Sequence, residues 1–252
     1  FVCPRCGSHR HSKICPDRHI RCLDCRYKVS VTAGTVMHRT KLPLPYWFWG
    51  AYLVATHTQG VSAMQFQQQV GLKRYEPAYH MLHKLRAGLD QDLDGKLSGT
   101  VQVDETYIGG RKPGPGGRGA LGKTLVVGAV EVASGLKRPF AKSVRLRVIR
   151  GASAKNLLGF IQKRVARGST VQTDDWRGYV GVSKAGYRHR VVDTEEELPY
   201  IHHVFGNLKL WLAGTHHHVS RKHAQAYLNE YCYRFNRRTR VTVSFEGLLG
   251  LA

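Results

Sequence analysis

Hydrophobic positions recur along this chain with two different periods, and the changes between them divide it into segments. From Tyr46 to His57 the residues are aromatic and apolar, and Gly60 breaks the run. Ser62 then stands where a helix cap belongs, ahead of AMQFQQQV, and Gly71 supplies a turn. In AYHMLHKLRAGL, after Pro77, the residues Ala78, Met81, Leu82, Leu85 and Leu89 recur at helical spacing, while His80, His83, Lys84 and Arg86 face elsewhere. Helix, glycine turn and helix predict a helix-turn-helix-like segment that lays Lys84 and Arg86 on DNA. A plain three-helix bundle with a solvated basic face accounts for the pattern equally well.

From Val101 onward the period shortens to two. VQVDETYIGG reads as a strand with Val101 and Val103 on one face, and LVVGAVEVASG as a second. AKSVRLRVIRG is a third, with Val144, Leu146 and Val148 alternating against Arg145, Arg147 and Ile149. Helical spacing returns in SAKNLLGFIQKRVARG, where Leu157, Leu158, Ile161 and Val165 share a face between Ser153 and Gly168. STVQTDDWRGY is then a strand ending at acids, HRVV a short one, and two helices follow, LPYIHHVFGNLKLWLAGT and one capped by Ser220. The order is β-β-β-α-β-(β)-α-α, an α/β arrangement.

Against 39 Lys and Arg there are 17 Asp and Glu, a formal net charge of +22 spread over all 252 residues, so a polyanionic partner is expected. The most apolar run, Leu42 to Ala55, contains two prolines and falls short of the roughly 18 residues that span a bilayer. Nucleic acid, not membrane, is therefore the expected partner. The chain starts at Phe1 with no secretory pattern, and a short preceding piece is compatible with that start.

Five of the six cysteines fall in the first 25 residues. CPRC and CLDC place Cys3, Cys6, Cys22 and Cys25 as two thiolate pairs with the spacing of a tetrahedral zinc site, whose filled shell makes the metal structural. Cys15 has no paired neighbour and is left out. The segments group as a zinc ribbon over 1–38, a helical DNA-binding segment over 39–97 and an α/β domain over 98–252.

Gly117 to Thr124, GRGALGKT, matches the phosphate-loop pattern, but a β-rich run follows Lys123 where a helix must open. Nucleotide binding is not expected. The loop reads instead as a basic segment in which Arg111, Lys112, Arg118 and Lys123 follow a phosphate backbone, as Arg237 and Arg238 do near the C-terminus. In a chain so poor in carboxylates, acids at the ends of apolar strands need a reason. Asp104 ends VQV and Asp174 ends TVQT; on adjacent strands they would converge as oxygen ligands for Mg²⁺ or Mn²⁺. Turn-capping or pairing with arginine is the structural alternative. Glu105 and Asp175 fall on the opposite strand faces.

VDETYIGGRKPG, TDDWRGY, FGNLKLWLAGTHHHVS and YLNEYCYRFNRR, together with the cysteine pairs and SVTAGTVMHRTKLPL, resemble a bacterial insertion-sequence transposase of the ISXO type along nearly the whole chain. The resemblance implies a ribonuclease H-like mixed sheet flanked by helices, preceded by the zinc ribbon and the helical segment. It implies DNA strand cleavage and transfer with two Mg²⁺ or Mn²⁺ ions, and places the first two catalytic aspartates on Asp104 and Asp174. It also implies terminal inverted repeats and target DNA as partners, a homodimer or larger synaptic assembly, and a cytoplasmic, nucleoid-associated protein.

The third ligand departs from a plain DDE pattern, since no carboxylate lies between Leu198 and Thr215. Asn or His there, with a lysine further along the helix, matches the family. His202 and Lys209, seven apart, share a helix face, which favours His202; hard Mg²⁺ would prefer the amide oxygen of Asn207. The balance tips to His202, with Glu195, Glu196 and Glu197 as outside candidates. Trp176, Arg177 and Tyr179 either stack on bases or pack beneath the site. The rival readings are a non-catalytic zinc-ribbon DNA-binding protein and a ribonuclease H-like nuclease or resolvase that cuts without joining.

Overall fold

A computed structural model describes residues 1–16, 19–57, 59–89, 95–109, 122–135, 138–192, 198–217 and 219–239. At the N-terminus, β1 (His19–Arg21) pairs antiparallel with β2 (Lys28–Ser30). Three helices follow: α1 (Leu44–Thr56), α2 (Ala63–Val70) and α3 (Tyr75–Gly88). Ser62 caps α2 by accepting a hydrogen bond from the Gln65 amide, and Gly71 closes the helix with φ of 69°. α3 starts two residues before Pro77, because a proline in the first turn forfeits only an N–H that has no helical partner anyway. Trp47, Phe66, Met81, Leu82 and Leu85 form the core of this segment, which Tyr233 from the far end of the chain completes.

A five-stranded sheet carries the rest, in the order β5-β4-β3-β6-β7. β3 (Thr100–Ile108), β4 (Thr124–Ala133) and β5 (Phe140–Val148) form the antiparallel meander that the alternation predicts. Helix α4 (Ala154–Arg164) then crosses over to β6 (Thr170–Thr173), which lies parallel to β3, and β7 (Arg188–Val191) lies parallel to β6. α4 stops short of Gly168 because Val165 leaves the helix to bridge with Leu97. Arg145, expected on an outward face, is instead 2% exposed, and its guanidinium donates to the carbonyls of Val144 and Gly95. The mixed sheet with its flanking helices and the N-terminal cysteine cluster give the α/β architecture expected of the sequence.

Alternation along β3 sends its residues to two cores. Val101 and Val103 pack with Leu157, Phe160 and Ile161 of α4 on one side. Ile108 faces α5 (Pro199–Trp211) and α6 (Ala224–Asn236) on the other. Two residues let α5 sit close to the sheet. Gly128, opposite Asp104 in the register, leaves room for Phe205 and Ile201, whose atoms would lie 2.7 and 2.9 Å from an added Cβ. Gln102 accepts hydrogen bonds from the amides of Tyr200 and Ile201, at 3.0 and 3.2 Å, and so binds the first turn of the helix to β3. After Trp211 the helix widens into a π-helical turn, Leu212–His216. α6 opens at Ala224, a turn later than Ser220 would place it, and packs along β5.

Candidate active site

Asp104 and Asp174 occupy equivalent points on neighbouring parallel strands. The last registered pair of β3 and β6 is Gln102 with Gln172, and each aspartate lies two residues further along its own strand direction. With a side-chain period of two, Asp104 shares the α5 face with Gln102. There its Oδ2 lies 3.1 Å from Nε2 of His202, while its Oδ1 accepts the Glu105 amide at 2.7 Å. Asp174 sits just past the end of β6, where its Oδ1 accepts the Trp176 amide at 3.2 Å and holds a turn. Thr173, beside it, bonds both the Asp174 carbonyl and Nε2 of His189 on β7, each at 2.8 Å.

Burial pushes the Asp104 carboxyl above its usual range; the Glu105 amide and the nearby His202 pull it down, and the charge of Asp174 raises it again. Two carboxylates that repel across a sheet edge offer a place where a cation is favoured. Beneath them, on the α4 side, Tyr179 is 1% exposed. Burial first, then the charges of Glu105, Asp104 and Asp174, push its phenol well above the ordinary value, so it stays protonated. Trp176 donates its indole N–H to the Ala152 carbonyl at 2.8 Å. Both rings therefore pack under the site, and Arg177 is the exposed member of the trio.

The structure separates the two candidates on α5. His202 meets Asp104, whereas Asn207 is exposed and lines a cleft with Trp211, Tyr231 and Arg234 on the α6 side. Lys209 is exposed two turns beyond His202. Glu195, Glu196 and Glu197 lie outside the described residues, as do Arg111, Lys112 and Arg118. Lys123 leads directly into strand β4, so no helix opens at it.

Among the expected DNA contacts, Arg86 requires correction. It is 1% exposed, and its Nε bonds Glu230 Oε2 on α6 at 2.6 Å, because α3 turns this face toward α6 and not toward solvent. Lys84 is exposed, with its Nζ bonded to the His38 carbonyl at 2.7 Å. Arg237 stacks on Tyr233, and Arg238 stacks on Phe235 while donating to backbone carbonyls of β5. Hydrophobic patterning does not single out Gln102 and Gly128, the residues that seat α5; a glutamine two positions before each aspartate is the one signal the sequence offers.

The four cysteines form a second site. Sγ of Cys3 lies 3.6 Å from that of Cys25, and Sγ of Cys6 3.6 Å from that of Cys22. A tetrahedral ion with bonds of about 2.3 Å to sulfur separates its ligands by roughly 3.8 Å, so the cluster fits one. Among the described residues this is the single set of three or more such ligand atoms within 4.8 Å of one another. The backbone amides of Cys25 and Asp24 help hold the Cys22 thiol down to about 6, while the neighbouring thiols push Cys6 up to about 12, so without an ion the cluster shares its protons unevenly. Cys15 stands apart, near the Lys13 carbonyl. No described helix is long and apolar enough to cross a membrane.

No curated protein matches the chain. Among solved structures, the NurA nuclease from Sulfolobus solfataricus aligns at 13% identity and a TM-score of 0.19, covering 68% of this chain and 55% of that one. The chain thus spans about half the length of that nuclease, and the likeness is too weak to carry an argument. The family model of the ISXO2-like transposase domain matches residues 96–236, from just before β3 to the last residue of α6. That span is more than half of the chain and contains Asp104, Asp174 and His202, and the protein belongs to the ISXO2-like transposase domain family.

Proposed function

We propose that this protein cuts and joins DNA strands at the ends of an insertion sequence, through a ribonuclease H-like domain. One observation carries the reading: two aspartates stand at matching positions on parallel strands, with His202 of α5 against the first. Asp104, Asp174 and His202 would hold Mg²⁺ or Mn²⁺, two ions in all. When bound, these ions supply Lewis-acid stabilisation of the oxygens exchanged at a phosphodiester. His202 lies against the Asp104 carboxylate and the Trp176 amide fixes Asp174, and Lys209, exposed on the same helix, would contact a phosphate. Cys3, Cys6, Cys22 and Cys25 hold Zn²⁺, and the ribbon and helical segment bind the terminal inverted repeats in a synaptic dimer or larger assembly. The setting is the bacterial cytoplasm.

The test is incubation of the protein with labelled element ends and a target plasmid in Mg²⁺ or Mn²⁺. Nicked ends and joined products are expected from wild type. His202→Ala should lower the cleavage rate by about 10- to 100-fold, the usual cost of disturbing a metal's coordination shell, while Asn207→Ala stays close to wild type. Cutting without joining would favour the nuclease or resolvase, and binding without cutting the non-catalytic protein.

Zinc content is a separate expectation. The purified chain should carry about one zinc, lost in Cys22→Ser, and the loss should weaken binding to the inverted repeats. Thermal unfolding of the sheet domain should stay unchanged. Retention of metal by the serine variant, or full DNA affinity without it, would count against the ribbon's assigned role.

A further inference from the structure

The two acid-bearing strands carry the same short motif. Val101-Gln102-Val103-Asp104 on β3 and Val171-Gln172-Thr173-Asp174 on β6 lie side by side, with valine opposite valine and glutamine opposite glutamine. One rung below the aspartates, the two amides meet: Gln102 Nε2 donates to Gln172 Oε1 at 3.3 Å. The other end of the Gln102 amide, its Oε1, accepts from the backbone of Tyr200 and Ile201. Two backbone donors require the oxygen on that side, which leaves the NH₂ for Gln172.

Those two donors belong to the first turn of α5. Leu198 makes no side-chain cap and Pro199 has no N–H, so the amides of Tyr200 and Ile201 find no acceptor within the helix. Gln102 is 4% exposed and Ile201 fully buried, whereas Tyr200 is half-buried at the rim of a cleft that Gln102 and Gln172 also line. His202 follows at the next position, and the same helix turn carries it onto Asp104.

We propose that Gln102 is a positioning residue for the acidic site: one buried amide ties β3 to β6 and to the start of α5, and thereby sets His202 and Asp174 against Asp104. The inference rests on the reading of this site as the transposase centre. Residue type follows from the task. Asparagine is a methylene shorter and cannot span from β3 to both neighbours. Glutamate could accept from the helix but not donate to Gln172, and would add a third negative charge near the aspartates. Without Gln102, the buried amide of Ile201 loses its acceptor, the first turn of α5 frays, and His202 leaves Asp104.

Gln102→Met preserves volume and removes all three hydrogen bonds. A crystal structure of the metal-free variant should show the His202 imidazole moved out of hydrogen-bond reach of Asp104 while the sheet stays intact. Mn²⁺ binding followed by electron paramagnetic resonance should weaken about tenfold. In a His202→Ala background the same substitution should cost only about threefold more, the part that acts through Gln172 and Asp174, because the rest works through a side chain already absent. Full additivity in that cycle, or an unmoved His202, would overturn the proposal. Should Gln102→Met not fold, Gln172→Met cuts only the link to β6; it should weaken Mn²⁺ binding about threefold and add to His202→Ala, since it works through Asp174. An unchanged affinity in that variant overturns the proposal equally. Wild type that binds Mn²⁺ but never cuts DNA would defeat the transposase reading and leave the Gln102 result standing. Wild type that cuts while Gln102→Met behaves identically would defeat the inference alone.

Discussion

Asp104→Asn should give a protein that folds at least as well as wild type, binds the element ends, and cuts them at least about 10³-fold more slowly. The activity loss follows from charge: an amide has the shape of the carboxylate but offers a cation one neutral oxygen, and in the proposed site Asp104 is the ligand shared with His202. The stability effect runs the other way. Burial and the charge of Asp174 hold the Asp104 carboxyl above its unfolded value, so the folded state disfavours the ionised form relative to the unfolded chain. At neutral pH the charged group therefore costs stability. That cost is constant above the raised value and shrinks as pH falls through it toward the ordinary carboxylate range, whereas asparagine removes it at any pH. Activity down with melting temperature up is the signature of a residue kept for chemistry. Asp174→Asn should abolish cutting to a similar extent, and the double variant should be little worse than either, as for groups that work as one unit. Parallel losses of stability and activity would instead mark Asp104 as a structural turn residue.

The sequence disclosed the parts of this site that depend on local pattern. Alternation in VQV and TVQT marks two strands, and an acid after each stands out against a net charge of +22. That His202 rather than Asn207 meets Asp104 depends only on the azimuth of one helix, which the sequence carries in its spacing. What could not be read depends on residues distant in sequence. Arg86 has the pattern of a solvated cation because its partner Glu230 lies 144 residues away. Gln102 sits in a run whose valines dominate the pattern, and its value comes from amides 98 and 99 positions later. The end of α4 departs from the periodicity for the same reason, since Val165 answers to Leu97 and not to helical period.

Arg86 and Glu230 carry the second large prediction, on stability. Both are essentially inaccessible, at 1% and 0% side-chain exposure, and they join α3 to α6. Arg86 also lies over the Tyr227 ring at 4.4 Å, and Arg234 comes within 3.7 Å of the same glutamate. Glu230→Gln keeps the volume and removes the anion, so two guanidinium groups stay in a low-dielectric interior without a counter-charge. Breaking such a pair costs about 3–5 kcal/mol, which for a domain of this size lowers the melting temperature by on the order of 10 °C. Arg86→Met alone should cost less, because Arg234 stays within 3.7 Å of Glu230 and leaves it a counter-charge. The double substitution Arg86→Met with Glu230→Gln should recover much of the loss, because the expense lies in an unpaired buried charge and not in the absent bond. Acid should act at the same place. His83 and His216 are held down to about 4, by burial first, with Arg86 adding repulsion and Glu230 opposing it. Since these imidazoles bind protons less readily folded than unfolded, stability should fall as pH drops from about 6.5 toward 4, and remain flat above. Glu230→Gln deprives both histidines of their nearby anion and should steepen that fall. Melting temperatures of the four proteins measured across that window decide the matter: an additive cycle with one common pH slope would mean that the pair is solvated, and that α3 and α6 are held together by the apolar contacts around Tyr233 instead.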